Sequence, residues 1–301
     1  MLSLHTNSSA LSAQNSISRT QSSLSTSQTR LSTGFRVNSA MDDAAGLQIA
    51  TRLKAQSSGM AMAMRNTQNS ISMLQTAEGA FDEVTNMLIR MKDLATQAAD
   101  ASSTAKDQAA LQSEFDALGS ELNNVMKNST FGGAKLMEGG TIAASMTFQI
   151  GATKSGQMTI DLSTAMTALT GTALTAVSAR YAAGGAAVGT EISDGTDGTA
   201  SASNAAGQTA ANNTIDTIST AIDQVGGIRS SLGAASNRLD HIYNNLSNIS
   251  SNTKAATGRI MDTDFATESS NMTSSQMLLQ AGTAMLKQSN STSSLVMSLL
   301  Q

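Results

Sequence analysis

Large apolar side chains recur at intervals of about seven residues at both ends of the chain, and this spacing strongly constrains the fold. Seven residues are close to two turns of an α-helix, so such side chains share one side of it and form a coiled-coil seam. One set falls within about residues 3–33 and the other within about 264–300. Together they are Leu4, Leu11, Ile17, Leu24, Leu31, Phe265, Met272, Leu279 and Leu286. We therefore predict a terminal coiled-coil pair.

Neither end is expected to be a stable helix alone, because both are rich in Ser, Thr and Asn, which are weak helix formers. One interpretation is that the two ends pair within a single molecule. The other is that they fold only when further copies of the chain surround them, as in coupled folding and binding.

The composition favours long helices without a thick aromatic core. The 301 residues include no proline, tryptophan or cysteine, and only 3% are aromatic. Without proline, long helices need no interruption, and 18 methionines supply flexible apolar packing. Without cysteine no disulfide can form, which leaves the redox compartment open.

Between the ends, apolar periodicity predicts helices at about 40–99, 105–129 and 207–257. Short β-branched runs divided by glycines predict a β-hairpin within 140–162. Residues 163–205 are rich in Ala, Gly and Thr, which predicts a loop or a small outer lobe. The predicted fold is mainly α, with long antiparallel helices, the terminal coiled-coil pair, a small β-hairpin region and a short outer lobe.

A helix junction follows the first seam, in the sequence LSTGFRVNSAMDDAAGLQIATRL of residues 31–53. Gly34 interrupts the first helix, because glycine is unfavourable in a helix interior. Ser39 and Asp42 have the spacing of a capping box, and Asp42 and Asp43 suit the positive end of the helix dipole. The pattern predicts a helix that begins near residue 40.

This junction resembles the signature near the N-terminus of bacterial flagellins. Three further segments resemble the hairpin region, the C-terminal core helix and the C-terminal signature of that family. Their matching residues are Phe148, Gln149, Ile150, Gly151, Ala152, Ile160, Asp161 and Leu162; Leu232, Gly233, Ala234, Asn237 and Arg238; and Arg259, Ile260, Asp262, Asp264, Ala266, Glu268, Asn271, Met272, Gln276, Ala281 and Gly282. The start MLSLHTN is most similar to lateral-type flagellins.

The resemblance implies a structural subunit that polymerises into the flagellar filament, the propeller for swimming or swarming. It implies that the terminal seam residues carry polymerisation. It also implies an inner domain of residues 1–38 and 264–301, a helical core domain of 39–175 and 206–263, and a short variable outer segment of 176–205.

The partners implied by the resemblance are copies of the chain itself, the flagellar export apparatus, an export chaperone, the filament cap and the hook-junction proteins. The implied location is the extracellular filament. No cleavable secretory signal is expected, because the N-terminus lacks a basic region followed by a continuous apolar run. Export through the flagellar channel needs none.

Other function classes find little support in the sequence. A formal net charge of −4 offers no basic footprint for nucleic acid, and no apolar run is long enough to predict a membrane span. The two histidines, His5 and His241, and the pair Asp194 and Asp197 do not complete a metal site. We expect no enzyme activity and no cofactor.

One surface resembles the patch that the flagellin-sensing Toll-like receptor binds. The matching residues are Arg90, Leu94, Gln97 and Glu114, and Lys92 replaces the usual arginine. Residues 29–50 resemble the epitope of a plant receptor kinase, with Met41 where lysine is usual. The structural alternative is that Arg90 and Glu114 are surface charges and that Leu94 packs in the core or against a neighbouring subunit, and both interpretations can hold together.

Two alternative functions stay open from the sequence. One is a hook–filament junction protein of the same family, which would share the terminal helices and would not form long polymers. The other is a secreted host-interaction protein that acts as a monomer.

Overall fold

The computed structural model describes residues 7–182, 184, 189–193 and 204–299, and the side chains of all of these except 204 and 292–299. The helices in this part are α1 (Ser8–Thr33), α2 (Ala44–Ala98), α3 (Ala105–Asn128), α4 (Ser163–Ala168), α5 (Leu174–Val177), α6 (Ala179–Ala182), α7 (Asn204–Met261) and α8 (Phe265–Leu299). A π-helical turn, Leu169–Ala173, joins α4 to α5. The predicted mainly α fold is confirmed.

Four short strands form two antiparallel hairpins: β1 (Thr130–Phe131) with β2 (Ala134–Lys135), and β3 (Ser145–Gln149) with β4 (Gln157–Asp161). The β3–β4 hairpin lies where the sequence predicts one. The β1–β2 hairpin was not predicted. It turns at two glycines with φ of 58° and 85°, a left-handed conformation that favours glycine.

Two aspartate side chains shape the start of α2. The carboxylate of Asp42 accepts from the backbone amide of Ser39 at 2.9 Å, so the predicted capping box forms a turn. The helix itself begins later, at Ala44, because Asp43 accepts from the amide of Gly46 at 2.7 Å and caps it. The predicted start near residue 40 is therefore early by about one turn.

The described chain divides into two compact units. The terminal unit comprises residues 1–58 and 249–301, and the core unit comprises residues 59–248. The core unit contains a continuous cluster of buried apolar side chains, among which Phe81, Phe115, Leu74, Leu88 and Met91 are fully buried. The division into inner, core and outer domains at residues 38, 175, 205 and 263 concerns layers of an assembly and stays a prediction.

The described part of 163–193 packs into the core unit, whereas the sequence predicted a loop or a small outer lobe. Leu169, Leu174, Val177, Tyr181 and Ile192 are all buried. The sequence did not indicate this packing, because alanine and threonine are compatible with short helices as well as with loops. The loop interpretation is wrong for the described part of 163–193, and residues 183, 185–188 and 194–203 lie outside the described residues.

A buried polar cluster holds part of this segment against α3. Asp116 pairs with Arg180 at 3.5 Å and accepts from the amide of Gly189 at 3.2 Å. Gln112 donates to Asp116 at 2.9 Å and accepts from the amide of Ile192 at 2.8 Å. These contacts satisfy polar groups that would otherwise be unfavourable to bury.

Candidate functional site

Helices α1 and α8 of the terminal unit pack against each other antiparallel. Near one end of the pair, the side-chain amide of Asn7 donates to the hydroxyl of Ser289 at 3.2 Å. Near the other end, a guanidinium nitrogen of Arg30 lies 3.7 Å from a carboxylate oxygen of Glu268, which is almost fully buried. The residues that pair therefore run in opposite directions along the two helices.

Each helix turns a regular seam towards its partner. The less exposed positions follow spacings of three and four residues, the pattern of a coiled coil. On α1 they include Ala10, Ala13, Ile17, Thr20, Leu24, Ser27 and Leu31, and on α8 they include Glu268, Met272, Ser275, Leu279, Gly282, Leu286 and Ser289. Large and small residues alternate from Ala13 to Leu31 on α1 and from Met272 to Ser289 on α8, which lets the helices approach closely.

Gly282 marks one such close approach. A Cβ atom at this position would lie 2.9 Å from Cγ1 of Ile17, which is closer than real Cβ contacts. Any larger side chain would therefore have to displace Ile17 or separate the two helices. The glycine, unfavourable in a helix interior, is explained by this contact.

Six of the nine predicted seam residues lie in this seam and are half-buried: Ile17, Leu24, Leu31, Met272, Leu279 and Leu286. Leu4 lies outside the described residues. Leu11 and Phe265 are more than half exposed. The interval from Leu11 to Ile17 is six residues, which falls about 120° short of two turns, so Leu11 cannot share the side of Ile17.

Helix α8 carries a second apolar stripe on a side that the seam does not use. Met277, Leu278 and Met285 are 60%, 59% and 67% exposed. On α1, the large apolar side chain that is similarly exposed is Leu11. The seven-residue interval from Leu278 to Met285 could have indicated this second stripe from the sequence, but the predicted polymerisation site did not include these residues.

A polar groove lies along one side of the α1–α8 pair. Its volume is about 480 Å³, and hydroxyl, amide and charged side chains line it: Ser22, Ser23, Thr26, Ser27, Arg30, Glu268, Asn271, Ser274 and Ser275. The terminal pair therefore presents a polar groove and a separate apolar stripe. Apart from Glu268, the only charged side chain of α8 is Lys287.

The end of α1 and the beginning of α8 are joined by a short backbone bridge. The amide of Arg36 donates to the carbonyl of Met261 at 2.6 Å, and the amide of Thr263 donates to the carbonyl of Gly34 at 3.0 Å. Gly34 has a φ of 76°, which lets the chain leave α1 and enter this bridge. The bridge fixes the register in which the two helices begin to pair.

The predicted receptor patch lies on α2 and α3 of the core unit. Arg90 and Glu114 form an exposed ion pair with nitrogen–oxygen distances of 2.5 and 2.9 Å. Gln97 is exposed on the same helix as Arg90. Leu94 is only 1% exposed and packs in the core, as the structural alternative held, so three of the four residues present a surface.

Of the remaining candidate ligands, only His241 lies among the described residues. His241 is exposed on α7, whereas His5, Asp194 and Asp197 lie outside the described residues. Across the described ranges, no group of three His, Cys, Asp or Glu side chains is arranged to hold a metal ion. In the same part of the chain, no helix is both long and apolar enough to cross a bilayer.

Comparison with known proteins gives matches along most of the chain. Residues 4–142 match the model of the bacterial flagellin N-terminal helical region, and residues 215–300 match that of the C-terminal helical region. Flagellin A of Vibrio anguillarum is 34% identical over 380 aligned positions that cover 100% of both chains. Polar flagellin F of Vibrio parahaemolyticus is 32% identical, with 99% of both chains covered.

A solved structure described as a flagellar hook-associated protein from Vibrio parahaemolyticus has the same fold. Its TM-score is 0.55 at 18% identity, over 73% of this chain and 100% of that one. At this identity the likeness concerns the fold alone. The two family models and the full-length sequence relatives go further, and on their evidence the chain belongs to the bacterial flagellin family.

Proposed function

We propose that the paired terminal helices carry the function of this flagellin, which is to polymerise as the structural subunit of the bacterial flagellar filament. The filament is extracellular and acts as a propeller, so the function is mechanical and not enzymatic. The observation that carries the proposal is the apolar stripe of Met277, Leu278 and Met285, which α1 leaves uncovered.

A second copy of the chain is the occupant that we infer for this stripe. Burying a large apolar side chain contributes roughly 1.5–3 kcal/mol, so three of them supply a substantial part of a subunit contact. The low charge of α8 favours apolar partners over ionic ones. Because one copy's stripe would meet a different surface of the next copy, the contact repeats without closing and builds an open helical polymer.

In this proposal the seam holds α1 and α8 together as one pair, which presents the exposed stripe to a neighbouring subunit. The seam residues Ile17, Leu24, Leu31, Met272, Leu279 and Leu286 act within the molecule, and the exposed stripe acts between molecules. Leu4, Leu11 and Phe265 complete the set assigned to polymerisation. Leu11 and Phe265 would contact neighbouring subunits, since both are exposed.

Removal of residues 265–301 tests the proposed site, and it should abolish polymerisation while the core unit stays folded. A sharper test is Leu278→Ser, with Ile89→Ser as the matched control, because Ile89 is an exposed aliphatic residue on α2. We expect Leu278→Ser to impair filament growth on seeds, observed by electron microscopy. Normal growth of the truncated protein, or of Leu278→Ser, would contradict the proposal.

The layered organisation is also part of the proposal, with residues 1–38 and 264–301 innermost, 39–175 and 206–263 around them, and 176–205 outermost. The family models leave residues 143–214 unmatched, which supports variability there. Deletion of 194–203 should leave filament growth intact, because its composition is rich in Gly, Ser and Thr. Failure of this variant to assemble while it remains folded would contradict the assignment.

The finer partners are proposals that come from the family. They are the export apparatus, an export chaperone, the filament cap and the hook-junction proteins. The assignment to lateral-type flagellins is also a proposal. The alternative of a hook–filament junction protein predicts no extended growth from purified protein. The alternative of a monomeric host-interaction protein predicts that loss of the chain leaves motility unchanged, so seeded growth and a swimming assay separate the three.

We propose a second role in recognition by the flagellin-sensing Toll-like receptor, supported by the exposed Arg90–Glu114 pair. Combined Arg90→Ala and Glu114→Ala should weaken receptor signalling without loss of helicity. Arg229→Ala with Asp82→Ala is the matched control, because Arg229 and Asp82 form a comparable pair at 3.0 Å. Identical dose–response curves for the two double variants would contradict this role.

A further inference from the structure

Methionine supplies two of the three large side chains in the exposed stripe of α8. Met277 and Met285 are 60% and 67% exposed, so a small oxidant can reach both sulfur atoms in the free subunit. The chain has 18 methionines and no cysteine, which makes the thioether its only oxidisable sulfur group. Chemistry that changes these two side chains would change the surface by which subunits join.

We infer that Met277 and Met285 form an oxidation-sensitive site that gates polymerisation before the subunit is incorporated. The inference rests on the proposed polymerisation site. A peroxide is the class of oxidant that suits the site. Oxidation converts an apolar, flexible side chain into a polar sulfoxide.

The reaction is a two-electron transfer of oxygen. The thioether sulfur attacks one peroxide oxygen, a sulfur–oxygen bond forms and the oxygen–oxygen bond breaks. With hydrogen peroxide, the other oxygen leaves as hydroxide and takes up the proton released from the transferred oxygen, giving water. Sulfur is oxidised and the peroxide is reduced, so atoms and electrons balance without a further reactant.

The consequence for assembly follows from desolvation. A sulfoxide oxygen buried against the next subunit loses its hydrogen bonds to water, and an apolar contact offers no replacement. Leu278 lies between the two methionines in the sequence and belongs to the same stripe. It has no sulfur to oxidise, and in an untreated filament the neighbouring subunit would cover it as well. We expect each sulfoxide to slow seeded growth about tenfold, which corresponds to about 1.4 kcal/mol.

The same geometry predicts protection once the subunit is in the filament. There, a neighbouring subunit would cover Met277 and Met285, whereas in the free subunit both are accessible. Met41 provides a reference, because it is 97% exposed and lies outside α8. In free subunits all three methionines should be sulfoxidised readily.

The experiment treats free subunits with hydrogen peroxide, quantifies each sulfoxide by peptide mass spectrometry, and measures growth on untreated seeds. The growth rate of the combined Met277→Leu and Met285→Leu variant should be the same with and without peroxide, because leucine carries no sulfur to oxidise. Met41→Leu is the matched control and should stay as sensitive as the parent. A methionine sulfoxide reductase should restore growth of the treated parent.

Two results would overturn the inference: normal growth of a parent that carries both sulfoxides, or equal loss of growth in the double leucine variant after peroxide. Failure of the proposed function has a different signature. In that case Met277 and Met285 would be oxidised in intact filaments as fast as in free subunits, and untreated Leu278→Ser would grow normally.

Discussion

The terminal and core units differ in where they keep their large apolar side chains. Nine of the eleven exposed large apolar residues in the described chain lie in the terminal unit, and two lie in the core unit. Within the described part of the terminal unit, the buried apolar residues are Val37 and Ala50. The core unit thus buries most of its own large apolar side chains, whereas the terminal unit leaves many exposed, among them the stripe that we propose a second subunit covers.

The largest effect on stability is expected from a substitution in the core. Phe81→Ala should lower the free energy of unfolding by about 3–5 kcal/mol, because Phe81 is fully buried and its removal leaves a cavity. Urea unfolding measures the change, and Ile89→Ala on the exposed side of the same helix is the control. A loss as small as that of the control would mean that the core unit is not closely packed.

The buried polar cluster gives the next largest effect. Asp116→Ala should cost about 3 kcal/mol, since Arg180, Gln112 and the amide of Gly189 all lose an acceptor in a buried position. Asp82→Ala, in an exposed pair, should cost less than about 1 kcal/mol. Equal losses in urea unfolding would show that the segment 178–193 is not anchored through Asp116.

A smaller effect is expected in the terminal unit from Gly282→Val. The added side chain must displace Ile17, which should weaken the α1–α8 pair by about 1–3 kcal/mol. Hydrogen exchange should show reduced protection of the amides in α1 and α8, and unchanged protection in α2.

Gly79→Ala should instead stabilise α2 by about 0.5–1 kcal/mol, because nothing lies within 4 Å of its added Cβ.

Unchanged protection of α1 and α8 in Gly282→Val would show that the helices do not approach closely at that position. The same result would remove the explanation for a glycine in the seam.

The smallest effect is an acid dependence of the helix starts. Hydrogen bonds from the side chain of Thr267 and the amide of Ala266 hold the pKa of Asp264 below its ordinary value, and the amide of Ser39 does the same for Asp42. A lowered pKa stabilises the folded state above the unfolded value of about 3.9, and this stabilisation disappears as the pH falls through the folded pKa. The turn that precedes α2 and the first turn of α8 should therefore loosen below about pH 4.

An NMR titration of these carboxyl groups checks that direction. Asp264→Asn should keep the helix start, because asparagine also caps helices, and should remove that group's share of the acid dependence. A folded pKa at or above the ordinary value for Asp264 would contradict the argument.

Periodic sequence was enough to predict the long helices, because their apolar residues return to one side with each turn or two. The predicted second helix, 105–129, corresponds to α3 at Ala105–Asn128. Which apolar residues face the partner helix was harder to predict. The six-residue interval from Leu11 to Ile17 already indicated that Leu11 does not belong to the seam. The start of α2 was harder to predict, because the Ser39–Asp42 spacing indicated a start near residue 40, whereas Asp43 provides the cap.

The polar anchoring of 178–193 could not be predicted from sequence. Gln112 and Asp116 are four residues apart on α3, which is as typical of a solvated surface as of a buried cluster. Their burial depends on Arg180 and on the backbone amides of Gly189 and Ile192, which arrive from a distant part of the chain. The exposed methionine stripe posed the converse difficulty, because one α-helix can present apolar residues both to its partner and to solvent.

The short backbone bridge between Phe35 and Asp262 has a consequence for the order in which the terminal helices form. Asn7 and Ser289 are separated by 282 positions, but once the bridge exists the loop that must close between them is roughly 55 residues. This fivefold shortening lowers the entropic penalty of closure by about 1.4 kcal/mol. The helix pair should therefore form from the bridge outward. The end that contains Asn7 and Ser289 should pair last and fray first.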